Sequence, residues 1–495
     1  MRNPRFLPVL CLPLLLAGCG GSSSSISTSS SSPEQEFFVK EKTEIEFLCM
    51  VDGSYRQLLD DMVREFEKEE PNVSVSLTNP LGSGNYGALE KAVVAGFFKE
   101  EYPDLVQCYP DNVVKYHDRG YVVNVDTYRA NPRYGINQDE DYIEAFLEEG
   151  SSYKDKGTYS LPFCKSTELL YYNADVLLGL DLSSVNAEIN QGQPLDETYL
   201  DNLSWEELFN KLCPAIKTYN DALEEGKKIW ADTTNAGIVT YDSDENFFIT
   251  LAQQYGYGYT SFADDGRGSI DYDNQGMKDL MLWLNQAKAK GYLQTHKTYQ
   301  DYVSYLFQTR EALFTISSTA GLSYNFVTQR DAETKGLTPF AIGVAKLPTA
   351  EGKEHRSINQ GPSVCVLDHK DENRALASYL LWRHLTNPEN ARKWSLSTGY
   401  IGVRHSVYEN EEFQQMISVS EESTIYERGA ADNLKKIADV KGMTFNTAVF
   451  RGSGDARTNV GLLLAKCLTD ENLEDNIDAY FASSVEQSRG HLPKN

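Results

Sequence analysis

Between residues 44 and 109 the hydrophobic positions change period four times. EIEFLCMV (44–51) alternates apolar and polar residues, as a strand with one face against a core does. After Asp52-Gly53, YRQLLDDMVREFEKEE brings Leu58, Leu59, Met62, Val63 and Phe66 onto one face of a helix, and Pro71 stops it. VSVSL (73–77) alternates again. GNYGALEKAVVAGFFKE then aligns Leu89, Val93, Val94 and Phe97 at helical spacing, before DLVQCY (104–109) returns to a strand. Strand, helix, strand, helix, strand predicts an α/β fold with a parallel sheet. Ligands of such sheets lie beyond the carboxyl ends of the strands, which selects Asp52-Gly53, Gly84-Asn85-Tyr86 and Pro110-Asp111 for inspection.

The amino terminus follows a different rule. Arg2 and Arg5 precede an apolar run over 6–16 that is too short to cross a bilayer as a mature helix, and a secretory signal is the reading that fits. The run ends in Leu16-Ala17-Gly18-Cys19, which resembles the bacterial lipoprotein cleavage box. That resemblance implies cleavage before Cys19, diacylation of its sulfur and anchoring on the outer face of the cell membrane. GGSSSSISTSSSSP (20–33) cannot build a core and serves as a flexible tether. An ordinary signal followed by a chance cysteine would not need such a tether.

At 495 residues the chain is long enough for at least two lobes. A formal charge of -26 disfavours nucleic acid as the partner, since phosphate binding needs a basic surface. Six cysteines remain in the body, widely spaced and mostly among apolar neighbours, and buried free thiols are favoured over disulfides in most of these positions. No HExxH pair, zinc-finger cysteine spacing, GxSxG elbow or GxxxxGK loop is present, so hydrolase, zinc and nucleotide-hydrolysing readings lack their signatures. Asp271-Tyr-Asp273 starts like a calcium loop but places Leu282 where a bidentate glutamate is needed. No metal or cofactor is expected. Thirty tyrosines suit stacking on sugar rings, although core packing explains most of them equally well.

LPFCKSTELLYYNAD (161–175) poses a sharper question: the polar island Lys165-Ser166-Thr167-Glu168 interrupts two apolar runs. The segment resembles part of the extracellular solute-binding proteins of bacterial ABC importers, in the sugar-binding family. So do EALFTISSTAGL (311–322), AIGVAKLP (341–348) with QGPSVCVL (360–367), and ASYLLWRHLTNPENARKWSLSTGYIGVR (377–404), in that order. The resemblance implies two α/β lobes around a ligand cleft, hinge closure on a solute, delivery to a membrane permease, a monomer and no catalysis. It implies lobes formed by 40–163 with 341–395 and by 164–340 with 396–495, behind a signal over 1–18 and a tether over 19–39. The polar island would lie where the chain crosses between lobes and would turn Ser166 to the ligand.

GNY, FCKST, STGY and FRG are most similar to the glycerol-phosphate-binding branch of the family. By that likeness Tyr86, Ser166, Ser318, Gly361 and Tyr400 are expected at the cleft, with Arg451 placed to hold a phosphate. The register at Ser318 can slip by one residue. Pro110-Asp111 stands where the branch has a glutamate, and Ile401-Gly402-Val403 also departs from its pattern. The expected ligand is therefore of the carbohydrate class, a sugar, oligosaccharide or glycerol phosphate. A secreted glycan-active enzyme or an adhesin on the same scaffold is the alternative, and Glu168 with Asp111 is the one carboxylate pair to nominate for it.

Overall fold

The computed structural model describes residues 37–79, 86–264 and 266–492. The signal, Cys19 and most of the tether expected over 19–39 lie outside the described residues, as do Gly84 and Asn85. Two five-stranded sheets organise the chain. In the first, Thr43–Leu48 lies between Val73–Thr78 and Leu105–Cys108, parallel to both. Ser363–Val366 joins antiparallel to Leu105–Cys108, and Leu161–Pro162 closes the other edge. The helices between the parallel strands are those the periodicity predicts, Gly53–Glu69 and Tyr86–Phe97. Asp52 caps the first by accepting from the Gly53 amide. Leu59, Met62, Val63 and Phe66 of that helix and Leu89, Val93 and Phe97 of the next are buried, as amphipathic faces must be.

The second sheet runs in the order Ile342–Lys346, Glu168–Asn173, Phe314–Ser318, Val239–Tyr241, Leu293–Thr295. The last three are mutually parallel, and Glu168–Asn173 is antiparallel to both of its neighbours. This is a two-lobe α/β architecture. Ile342–Lys346 belongs to the second sheet, not to the first lobe where the family likeness puts residues 341–395. Its pattern, IGVAK, is apolar enough to suit either sheet, and only pairing with Glu168–Asn173 decides the matter. Past residue 396 the chain still bonds the segment 40–163, the Ile143 amide donating to the Val403 carbonyl at 3.0 Å.

The chain passes from sheet to sheet at 163–167 and again at 347–362, and the two passages are laced together. Ser166 and Gln360 exchange backbone hydrogen bonds of 2.8 and 2.9 Å, the Cys164 amide donates to the Pro362 carbonyl at 3.0 Å, and the Ile401 amide donates to the Lys165 carbonyl at 2.7 Å. Gly361 sits inside this lacing with φ +86°. A Cβ there would lie 2.0 Å from the Cys164 carbonyl oxygen, so no other residue fits. All six cysteines of the body are buried free thiols.

Candidate ligand cleft

Three structural rules converge between the sheets. From the first lobe, the strand Leu105–Cys108 ends at Tyr109, and helix Pro110–His117 begins with Asp111 in its first turn. From the second, Val239–Tyr241 ends at a turn where Ser243 caps helix Asp244–Tyr255 by accepting from the Asn246 amide at 3.2 Å. The third contribution comes late in the chain. Gly452, at φ +101°, starts helix Ser453–Thr469, which sends Arg457 inward. A cavity of about 400 Å³ lies where they meet. Its walls include Tyr86, Tyr109, Asp111, Ser243, Asn246 and Arg457, with Glu149, Asn359 and Gln360 from the crossing region. That volume suits a small solute.

One wall is aromatic. Tyr86 and Tyr109 meet edge to face with centroids 4.9 Å apart. Burial raises the hydroxyl of Tyr86 far above the usual phenol range, and the neighbouring Tyr109 and Tyr400 hydroxyls push the same way. The rings are therefore neutral, with hydroxyls that donate and accept. The opposite wall is polar. Arg457 Nη2 donates to Asn246 Oδ1. Asn246 Nδ2 donates to Gln360 Oε1 at 2.7 Å and to Glu168 Oε1 at 2.9 Å. Gln360 Nε2 and Asn359 Oδ1 are buried with no partner among the described residues, so one donor and one acceptor stand ready. Arg457 has no carboxylate within ion-pair distance among the described residues, whereas Glu245 on the same rim is paired with Lys297 at 2.7 Å.

The polar island joins the two sheets, and the side chains of Lys165, Thr167 and Glu168 are committed to protein. Lys165 is fully buried, 2.6 Å from Glu149 and 2.9 Å from the Gly361 carbonyl. Thr167 donates to the Ile358 carbonyl at 2.8 Å and shares a hydrogen bond of 2.7 Å with the Ser357 hydroxyl. Glu168 accepts from the Tyr241 hydroxyl at 2.5 Å as well as from Asn246, and burial pushes its carboxyl up to about 7.

Of the residues the sequence points to, Tyr86 and Asp111 line the cavity, and Asp111 is bonded by Ser453 Oγ from the other side of the cleft. Tyr400 lies close enough to Tyr86 and Tyr109 for their hydroxyls to interact electrostatically, but it is not part of the cavity lining. Ser166 is buried in the lacing, and Gly361 makes its close approach to Cys164 rather than to open cleft. Ser318 caps the short turn after its strand, accepting from the Ala320 amide at 3.3 Å. Arg451 is exposed on a separate cavity with His117, Lys154 and Arg267, because the positive φ of Gly452 turns the chain just after it. The Glu168–Asp111 pair is not assembled in the cavity, since Glu168 lies beneath its floor. Arg457, Asn246, Gln360 and Tyr109 are the residues the sequence reading missed.

Fold and cleft together define a two-lobed ligand-binding protein. Residues 61–419 match the bacterial extracellular solute-binding protein family, and the chain belongs to that family. It is 23% identical over 385 residues to the sn-glycerol-3-phosphate-binding periplasmic protein UgpB of Yersinia pestis bv. Antiqua (strain Antiqua), a match covering 74% of this chain and 75% of that protein. To UgpB of Escherichia coli (strain K12) it is 22% identical over 377 residues, covering 74% and 76%. Among solved structures, UgpB from Mycobacterium tuberculosis in complex with glycerophosphocholine superposes with TM-score 0.64 at 18% identity, covering 90% of this chain and 98% of that one. The sugar-binding protein MalE of Xanthomonas citri does so with TM-score 0.66 at 15% identity and the same coverage. Both structures establish the two-lobe fold.

Proposed function

We propose that this protein captures a small carbohydrate-class solute bearing an anionic group, a glycerol phosphate or a glycerophosphodiester, outside the cell and hands it to an ABC permease when the lobes close. The observation that carries the reading is Arg457: a guanidinium on the cleft wall, held by an amide and free of a carboxylate partner among the described residues. Such a group takes a phosphate oxygen pair in two parallel hydrogen bonds. The tyrosines opposite supply faces and hydroxyls for the glycerol or sugar portion. Relatives that bind sn-glycerol-3-phosphate and a neighbour solved with glycerophosphocholine support the same chemistry. Salt confines the repulsion of an anion by the net charge of -26 to within ~10 Å, where the guanidinium acts against it. The protein works as a monomer, tethered through acylated Cys19.

Calorimetric titration of the detergent-solubilised full chain with sn-glycerol-3-phosphate, glycerophosphocholine and maltotriose tests the ligand class. Binding of a phosphate compound with little response to maltotriose is expected. A protein that binds maltotriose and ignores both phosphates overturns the anion reading. Cys19→Ser is expected to shift the protein from the membrane to the soluble fraction, and retention on the membrane overturns the anchor.

A further inference from the structure

We propose that Asn246 and the buried Glu168 are positioning residues for Arg457, together setting how strongly the cleft holds an anionic solute group; this rests on the anion reading of the cleft given above. The arrangement is a chain of three side chains from three elements. Arg457, on helix Ser453–Thr469, donates to Asn246 Oδ1. A carbonyl oxygen only accepts, so this bond fixes which way the Asn246 amide faces. Its nitrogen is thereby turned to Glu168 Oε1 at 2.9 Å and Gln360 Oε1 at 2.7 Å. With the amide used at both ends, the guanidinium is held at one place on the wall, and what it feels of Glu168 reaches it through a single amide.

Glu168 is 2% exposed, and both of its hydrogen-bond donors, Tyr241 and Asn246, are neutral. The charged groups around it are few. Asp242 follows Tyr241 at the end of its strand, Glu245 on helix Asp244–Tyr255 is engaged by Lys297, and Lys165 on the crossing segment is engaged by Glu149. Ser318, opposite Glu168 on the neighbouring strand, and Gln360 carry no charge. Arg457 is the cation that acts on Glu168. Burial is the main force raising its carboxyl to about 7, with Asp242 adding to it, while the bonds from Tyr241 and Asn246 and the charge of Arg457 pull the other way.

Proton gain leaves the geometry intact. When Glu168 Oε2 carries the proton, the Tyr241 hydroxyl turns from donor to acceptor, and Oε1 still accepts from Asn246. Only the field changes. Above neutrality the Glu168 carboxylate offsets part of the Arg457 charge; below it the whole charge is available to the ligand. Affinity for an anion of fixed charge therefore rises as pH falls through about 7, on the order of three- to tenfold across the transition for charges two hydrogen bonds apart at an intermediate dielectric.

A phosphomonoester is a poor probe because its own second proton leaves near pH 6. Glycerophosphocholine, a phosphodiester, keeps one negative charge throughout, and sodium sulfate keeps two. Wild type, Glu168→Gln, Asn246→Ala and Tyr241→Phe full chains are titrated with both from about pH 5.5 to about pH 8.5, with thermal unfolding of each run alongside. The expected result is a wild-type affinity that climbs toward acid, a flat and tighter profile in Glu168→Gln, and in Asn246→Ala, which frees the guanidinium and removes a bond to the carboxylate, a weaker profile with its midpoint at higher pH. Tyr241→Phe removes a bond to the carboxylate and is expected to move the midpoint to higher pH, which keeps the test alive if Glu168→Gln does not fold. A profile of unchanged shape in Glu168→Gln or an unmoved midpoint in Tyr241→Phe overturns the positioning role while leaving the anion reading standing. A wild type that binds neither anion at any pH overturns both.

Discussion

In the first lobe the strand Leu105–Cys108 ends, the chain turns, and Tyr109 and Asp111 reach the cleft at the start of a helix; in the second, Val239–Tyr241 ends and Ser243, Glu245 and Asn246 do the same. The construction is shared and the chemistry is not. The first lobe offers rings, Tyr86 against Tyr109, while the second offers an amide and, from helix Ser453–Thr469, a cation. The carboxylates beneath differ in the same way. Glu149 lies against the ammonium of Lys165 at 2.6 Å, whereas Glu168 has only a phenol and an amide for donors. The solute proposed above is two-sided in the same way, with carbon-bound hydrogens for the rings and an anionic group for Arg457. On that proposal the asymmetry between the lobes would select the ligand's polarity, and neither lobe would do so alone.

Removing the cation from the polar wall should break this asymmetry most severely. Arg457→Ala is expected to cost about 2 to 5 kcal/mol of affinity for glycerophosphocholine by calorimetry, the range for truncating a buried charge-paired partner; a loss no larger than that of a surface arginine would mean that the walls do not differ as described. Next in size is the strain under that wall. The folded carboxyl of Glu168 titrates at about 7 against 4.5 when free, so the folded chain keeps a proton that the unfolded chain loses. Stability should fall as pH rises from about 4.5 to about 7 and level off above. Glu168→Gln should abolish that component, worth on the order of 3 kcal/mol at pH 8 in denaturant unfolding. Identical slopes of stability against pH in both proteins would show that Glu168 ionises freely. On the aromatic wall, Tyr86→Ala should weaken binding by about 0.5 to 1.5 kcal/mol, the worth of one ring contact. Least of all, Arg451→Ala should change affinity by less than about 0.5 kcal/mol, as exposed positions do, and a loss matching that of Arg457→Ala would put the phosphate on the other side of Gly452.

The same contrast explains what could be read in the sequence. The first lobe's strands have one face more exposed than the other, so Thr43–Leu48 and Val73–Thr78 alternate visibly and point to Tyr86 and Asp111. Val239–Tyr241 is three residues long and buried on both faces, which leaves no alternation to find, and the Ser243-Asp-Glu-Asn246 that follows reads as an ordinary helix cap. Arg457 did leave a trace. Ser453 and Arg457 are four residues apart on one helix, hence on one face, and Ser453 already reaches Asp111 across the cleft. The FRG likeness drew attention to Arg451 instead, one residue before the glycine that turns the chain. Ser166 is a similar case: a polar residue in an apolar segment can face a neighbouring strand as well as a ligand, and its backbone pairing with Gln360 leaves no mark in the sequence.

That pairing also bears on how the lobes would move in the closure proposed above. Two unconnected strings between two bodies would let them twist, shear and drift apart as well as bend. Strings stitched edge to edge through Ser166 and Gln360, with Ile401 bonded to Lys165 alongside, behave as one ribbon, stiff in its own plane and pliant only across it. Closure on solute would then reduce to rotation about a single axis. Two dyes, one on each lobe, should report one distance in the empty protein and another in the filled one, with a single relaxation between them in place of a spread of arrangements.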